Sequence, residues 1–210
     1  DADPAFAEHL LDLRRSGLDV ALVIELSGWD ANLRRHVDRG VRLARALFPQ
    51  ARFGAVLYGP AACRSFPLAT EPETLLEALA RFPASQPPAT DATGMNAATA
   101  AAAGLEWRHH VRRTIIVLSA RPPWIAEVPA ILDAARRFAN QPGAGVHLFT
   151  MPAAAAGHDP SGFQRLAADN AVSWTPLADA SQFPCEWLSL VLGREHRQRI
   201  ESLLHDLDQR

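Results

Sequence analysis

The sequence has 210 residues, enough for one domain with a substantial core. Hydrophobic residues make up 48% and charged residues 21%, the balance of a globular chain rather than a disordered or fibrous one. A formal net charge of −2 excludes the strongly basic footprint of a nucleic-acid or anionic-membrane binder.

All 21 basic residues are arginine, which together with the abundant alanine points to a GC-rich bacterial genome. Cys63 and Cys185 fit no metal-ligand spacing and read as reduced thiols. No apolar run reaches the ~18 residues of a membrane span and no signal peptide is visible, so a cytoplasmic location is expected. The chain opens on Asp1 rather than Met, so a trimmed chain or one excised from something longer is expected.

Residues 4–15 place Phe6, Leu10, Leu11 and Leu13 on an amphipathic helix that Ser16-Gly17 stops. Val20 to Ile24 is an unbroken apolar run rich in β-branched residues, the pattern of a strand buried on both faces. It ends at Glu25-Leu26-Ser27-Gly28-Trp29-Asp30. Leu33, Val37, Val41, Ala44, Leu47 and Phe48 then recur at helical steps over 31–48, and Pro49 ends the helix. Residues 52–58 (RFGAVLY) form a second strand, broken by Gly59-Pro60, and 64–68 a short edge strand.

Residues 71–82 form a helix with Pro72 in its first turn. A loop over 83–92 leads through Thr93-Gly94 into an alanine-rich helix over 95–105. Residues 113–118 (RTIIVL) are the most apolar strand, followed by the loop Ser119-Ala120-Arg121-Pro122-Pro123. A helix over 128–139, a strand within 143–150, an Ala/Gly loop to 160, a short helix over 163–169 and an edge strand over 171–175 follow. Residues 183–192 and 194–207 are helical.

This alternation predicts an α/β fold: a doubly wound, mainly parallel six-stranded sheet in the order 3-2-1-4-5-6, flanked by helices. It divides into a helix over 1–17, the domain proper over 18–177, and a C-terminal helical extension over 178–210 packed on the same domain. Ligands of such sheets sit beyond the carboxyl ends of the strands where the order reverses. The loops after Ile24, before Met95 and after Leu118 gather there.

Gly28 stands alone in the first loop, and without a glycine-rich pattern the backbone cannot wrap a pyrophosphate. Ser27 lies on a strand-to-helix loop but outside any G-x-S-x-G elbow, and the spacings of His36, His109, His110, His147 and His158 implicate none of them as a base. A small hydrolase using Ser27 is therefore the weaker alternative, and no enzyme is expected.

The segment DVALVIELSGWD resembles the first strand and loop of von Willebrand factor A (vWA) domains, whose motif there is Asp-x-Ser-x-Ser. The likeness runs over about residues 18–177. RFGAVLYGP is similar to the second strand and its exit. ATGMNAATAAAAGLEW is similar to the loop and helix that carry the family's metal-site threonine. RRTIIVLSARPP resembles the strand that the family ends on Thr-Asp.

The resemblance puts Glu25 at the leading aspartate, Ser27 at the first serine and Trp29 at the second. It puts Thr93 at the threonine, with Thr90 and Asp91 as neighbours, and Ala120, after Ser119, at the aspartate of the third loop. Ser27 and Thr93 keep the family's residue, and Glu25 is a longer carboxylate. Mg²⁺ demands near-octahedral oxygen ligation at ~2.0–2.1 Å, and an indole at 29 with a methyl at 120 removes oxygens from that set. The resemblance therefore implies a degenerate metal-ion-dependent adhesion site without a metal or other cofactor. Glu25 and Ser27 are then free to cap the next helix or to bond loop amides. The alternative is a working Mg²⁺-dependent module using Glu25, Ser27, Thr93 and Asp91.

Members of the family mostly bind other proteins. The resemblance thus implies a non-catalytic adaptor or scaffold with a protein partner and neither nucleic acid nor membrane. Bacterial domains of this kind often belong to multi-component systems with AAA+ ATPases, proteases or defence effectors. Trp29, Asp30, Arg121 and Trp124 are the candidate partner contacts, since tryptophan and arginine make strong interface anchors.

Overall fold

The apolar run of the sequence is the central strand, β1 (Leu18–Glu25), and all eight of its residues are buried. A computed structural model of the chain describes residues 4–59, 62–82, 94–151 and 161–208. β1 runs parallel to β2 (Arg52–Gly59) on one side and to β4 (Arg112–Ser119) on the other. β5 (Ala144–Thr150) and β6 (Val172–Pro176) continue the parallel set. β3 (Ala62–Ala69) closes the opposite edge, and the described order is β3-β2-β1-β4-β5-β6.

The expected order and the mainly parallel sheet are both present. β3 is longer than the expected 64–68 and is antiparallel to β2, because a connection of two residues permits a hairpin but not a crossover. The β2–β3 register slips between Phe53 and Ala55. There the backbone of β3 presses on Gly54, where a Cβ would stand 2.9 Å from the Phe66 carbonyl oxygen. Pro67, which has no N–H for the ladder, sits in this irregularity.

Alternation along β1 builds two cores. Val20, Leu22 and Ile24 face α2 (Ala31–Leu47), α3 (Pro72–Arg81) and α7 (Phe183–Leu192). Ala21 and Val23 face α4 (Met95–Ala103), α5 (Val128–Ala139) and α6 (Ser161–Ala167). Small residues set the approach of the helices. Gly40 of α2 lies against Trp187 of α7, where a Cβ would meet the indole at 3.0 Å, and Ala98 and Ala102 of α4 are fully buried. α1 (Pro4–Ser16) and α8 (Arg197–Asp208) pack from outside on α7 and its neighbours. The helix expected over 194–207 starts later, because Gly193 (φ +104) leads into a 3-10 turn over Arg194–His196.

Both ends of β1 carry a buried carboxylate. At its start Asp19, with no exposure, takes Arg52 Nη2 at 2.6 Å and Arg108 Nη2 at 2.6 Å, and also the Arg108 amide at 3.0 Å. Burial works to raise the Asp19 carboxyl, but the hydrogen bonds from Arg52 and Arg108 outweigh it and hold the group below its ordinary value. No helix among the described residues is long and apolar enough to cross a membrane.

Candidate functional site

Glu25 is the last residue of β1, opposite Tyr58 of β2. Ile24 pairs with Leu118 of β4, so the chain leaving β4 passes directly over the Glu25 carboxylate. That carboxylate, in a residue 1% exposed, accepts from five groups. Oε1 takes the Ser27 hydroxyl at 2.5 Å and Arg121 Nε at 2.7 Å. Oε2 takes the amides of Ala120 at 2.8 Å and Arg121 at 3.0 Å, and faces the Ser119 hydroxyl at 2.9 Å. Ser119 Oγ also lies 2.7 Å from the Arg121 carbonyl, so its single proton is shared between two acceptors. Two successive amides converging on one oxygen form a nest for negative charge, and the guanidinium folds back onto the other oxygen.

The loop after β1 is therefore bonded to the loop after β4, as the topology predicts. Glu25 bonds loop amides, one of the roles the sequence allows it, but they belong to the far loop. The cap of α2 is Asp30, whose Oδ1 accepts from the Leu33 amide at 2.7 Å. Gly28 and Ala120 are pressed together: a Cβ on Gly28 would lie 2.6 Å from the Ala120 methyl. A methyl at 120 thus has a packing reason as well as the loss of an acid.

Two expected surface anchors are not at the surface. Trp29 is 1% exposed, because the indole turns into the core beside α3 and donates from Nε1 to the Leu79 carbonyl at 3.2 Å. Arg121 is 8% exposed, because its guanidinium is drawn down onto Glu25. Of the four candidates, Asp30 is exposed at its cap, and Trp124 is 51% exposed beside Ile125 at 42%. Thr90, Asp91 and Thr93 lie outside the described residues.

Three residues of the site carry no signal of their own in the sequence. Ser119 reads as an ordinary strand end. Tyr58 is fully buried behind Glu25, with its hydroxyl beside that of Ser119. Burial pushes this phenol well up, and the neighbouring negative charge of Glu25 adds to the shift. Glu127 precedes α5, where an acid is expected on general grounds, but it faces inward. Its Oε1 accepts from the Gly94 amide at 2.9 Å and its Oε2 from the Trp124 amide at 3.1 Å. It so ties the start of α4 to the loop after β4. Gly94 (φ +80) passes so close to β2 that a Cβ would stand 3.1 Å from the Gly59 carbonyl oxygen.

Arg121 keeps one donor in reserve: Nη2 is buried without an acceptor among the described residues. A cavity of about 280 Å³ adjoins the site, lined in part by Ser27, Gly28, Asp30, Leu33, Met151 and Asp179. Ser27 gives its proton to Glu25, not to a histidine. His147, the described histidine most strongly shifted, is held at about 4 by burial and then by Arg112 and Arg194, and it bonds Ser173. No group of three or more His, Cys, Asp or Glu placed to hold a metal occurs among the described residues.

No protein-family model and no curated protein matches the sequence. Solved structures do match. The VWA domain of SpRpn10 aligns with a TM-score of 0.53 at 15% identity, over 80% of this chain and 94% of its own. The conserved hypothetical protein BatB from Bacteroides thetaiotaomicron aligns with a TM-score of 0.58 at 15% identity, over 85% of this chain and 97% of its own. Proximal thread matrix protein 1 from the mussel byssus, with a zinc-occupied MIDAS motif, aligns with a TM-score of 0.58 at 14% identity, over 88% of this chain and 46% of its own.

Proposed function

We propose that this chain, which has the von Willebrand factor A fold, works as a non-catalytic protein-interaction module in which Arg121 replaces the metal ion. The observation that carries the reading is the set of donors on Glu25. Both carboxylate oxygens already accept from N–H and O–H groups, one of them a guanidinium. A divalent cation would have to displace those donors and expel a buried positive charge. Ala120 offers no oxygen from its side chain, and the Trp29 indole points into the core. This donor set does not fit Mg²⁺ or another hard divalent ion, which needs oxygen ligands with free lone pairs. The Glu25–Arg121 pair is neutral as a unit and closes the site from within.

Ser27 spends its hydroxyl proton on Glu25, a geometry that holds a loop rather than activates a nucleophile. Among the described residues, Trp124, Ile125 and Asp30 are exposed at this end of the sheet, an apolar pair with an acid, suited to recognition by shape. A cytoplasmic adaptor role in a bacterial multi-component assembly, beside an AAA+ ATPase, protease or defence effector, extends this reading by resemblance.

Calorimetric titration with Mg²⁺ and Mn²⁺, paired with thermal melts in metal and in chelator, tests the proposal. The expected result is no saturable heat and the same midpoint in both melts. One-site binding that raises the midpoint and disappears in Glu25→Gln would overturn it.

A further inference from the structure

The cavity beside the Glu25 loops lies where ligands of a doubly wound sheet are held. Its volume is about 280 Å³, and residues that follow four of the parallel strands bound it: Ser27 after β1, Ala120 after β4, Met151 after β5 and Asp179 after β6. β1 and β4 are the pair at which the strand order reverses. Pockets for drug-sized ligands run to ~300–1,000 Å³, so this one suits a group the size of a side chain and not a nucleotide.

The wall divides by burial. Leu33 at 3% exposed, with Met151 and Ala180 at 7%, forms an apolar floor. Asp30 and Asp179 are exposed and stand at the rim. Among the described residues, no arginine or histidine lines the cavity. Other acids of the molecule take an arginine: Asp38 takes Arg42, Asp169 takes Arg136 and Glu186 takes Arg197. Asp30 and Asp179 take none among the described residues. Each is fixed instead by a backbone amide, that of Leu33 at 2.7 Å and that of Ser181 at 2.7 Å. The bonds from Ser181, with the charge of His36, hold the Asp179 carboxyl below its ordinary value, so it is ionised at neutral pH. Arg121 does not line the cavity, and its charge is met by Glu25.

A lysine or arginine side chain laid along this cleft packs its methylenes on the floor and keeps its charged head at the rim. We propose that the cavity binds a cation on an aliphatic stem, an ammonium or guanidinium group, with Asp30 and Asp179 supplying the charge and Leu33, Met151 and Ala180 the apolar surface. The source is a basic side chain of a protein partner or a free alkyl amine. Assignment to a partner's side chain rests on the interaction role proposed above, whereas binding of the cation itself does not.

The test is an NMR titration of the whole chain with n-butylammonium, with n-butylguanidinium and with the peptide acetyl-Gly-Lys-Gly-amide, against sodium at matched ionic strength. Saturable shifts of the Leu33 and Met151 methyl signals and the Ala180 amide with a butyl cation or the peptide support the proposal. Tighter binding of the peptide than of n-butylammonium assigns a partner's side chain. Equal or weaker binding of the peptide assigns the free amine, which keeps the cavity and removes it from the interaction role. Asp179→Asn and Asp30→Asn retain a capping acceptor and remove one charge each, and each should weaken binding about threefold. Equal shifts with sodium, no saturable shift with any of the organic cations, or unchanged affinity in either folded variant would overturn the proposal.

Discussion

β1 ends in a buried carboxylate on both sides, and the two are used differently. Asp19 binds two guanidiniums from separate parts of the chain, Arg52 of β2 and Arg108 of the loop before β4. Their side chains are 19% and 31% exposed, so water shares the charge. Glu25 binds one guanidinium whose side chain is 10% exposed, and the rest of its partners are amides and hydroxyls of two loops. Asp19 is a strut between strands, while Glu25 is the hub around which a loop is folded. A strut can lose one arm and stand, whereas a hub cannot be removed without unfolding what is wrapped on it.

The largest expected effect is at the hub. Glu25→Ala strands the Arg121 charge and several loop donors, and should cost about 3–5 kcal/mol in urea unfolding. A Glu25→Gln/Arg121→Met double variant removes both charges together. It should recover more than half of that loss, and a double-mutant cycle measures the coupling. If Glu25→Ala cost no more than a surface substitution, the distinction between hub and strut would collapse.

Asp19→Asn keeps the shape and removes the charge from a pair that water partly screens, so about 1–3 kcal/mol is expected. Its pH dependence sharpens the comparison. The Asp19 carboxyl is held below its ordinary value of 3.8, so the unfolded chain takes up that proton more readily than the native one. The stabilisation is complete above about pH 3.8 and is lost as pH falls through the lower, native value. Acid unfolding of Asp19→Asn should lack this component of the slope.

Gly28→Ala strikes only the hub's end. The added methyl must push Ala120 aside from 2.6 Å, at about 1–3 kcal/mol, and amide exchange should rise at Ala120 and Arg121 while Asp19 and its arginines stay protected. Trp124→Ala should move stability least, within about 0.5 kcal/mol, yet under the proposed role weaken capture of a protein partner, since this residue is 51% exposed.

The fold was legible because its signals are local. An apolar run, two helical periods and a proline or glycine at each boundary place β1, α2 and β2 to within a residue or two. The loop junction was legible from topology. What could not be read is direction. Trp29 and Arg121 have the composition of anchors, but one indole is drawn into the core by α3 and one guanidinium by Glu25. Both partners lie far off in sequence. Asp19 and Glu127 carry no mark in the sequence of the Arg52, Arg108 and Gly94 donors that the fold places around them. No periodicity records which oxygen of a carboxylate a distant amide will meet.

The slipped register of β3 has a consequence for assembly. An unprotected outer strand invites other chains to extend the sheet and, at high concentration, to grow fibrils. Pro67 withholds a donor there, and the slipped register opposite Gly54 interrupts the regular ladder. Strand addition along this border is thereby discouraged, which under the proposed interaction role leaves the loops that crown the sheet for a binding protein.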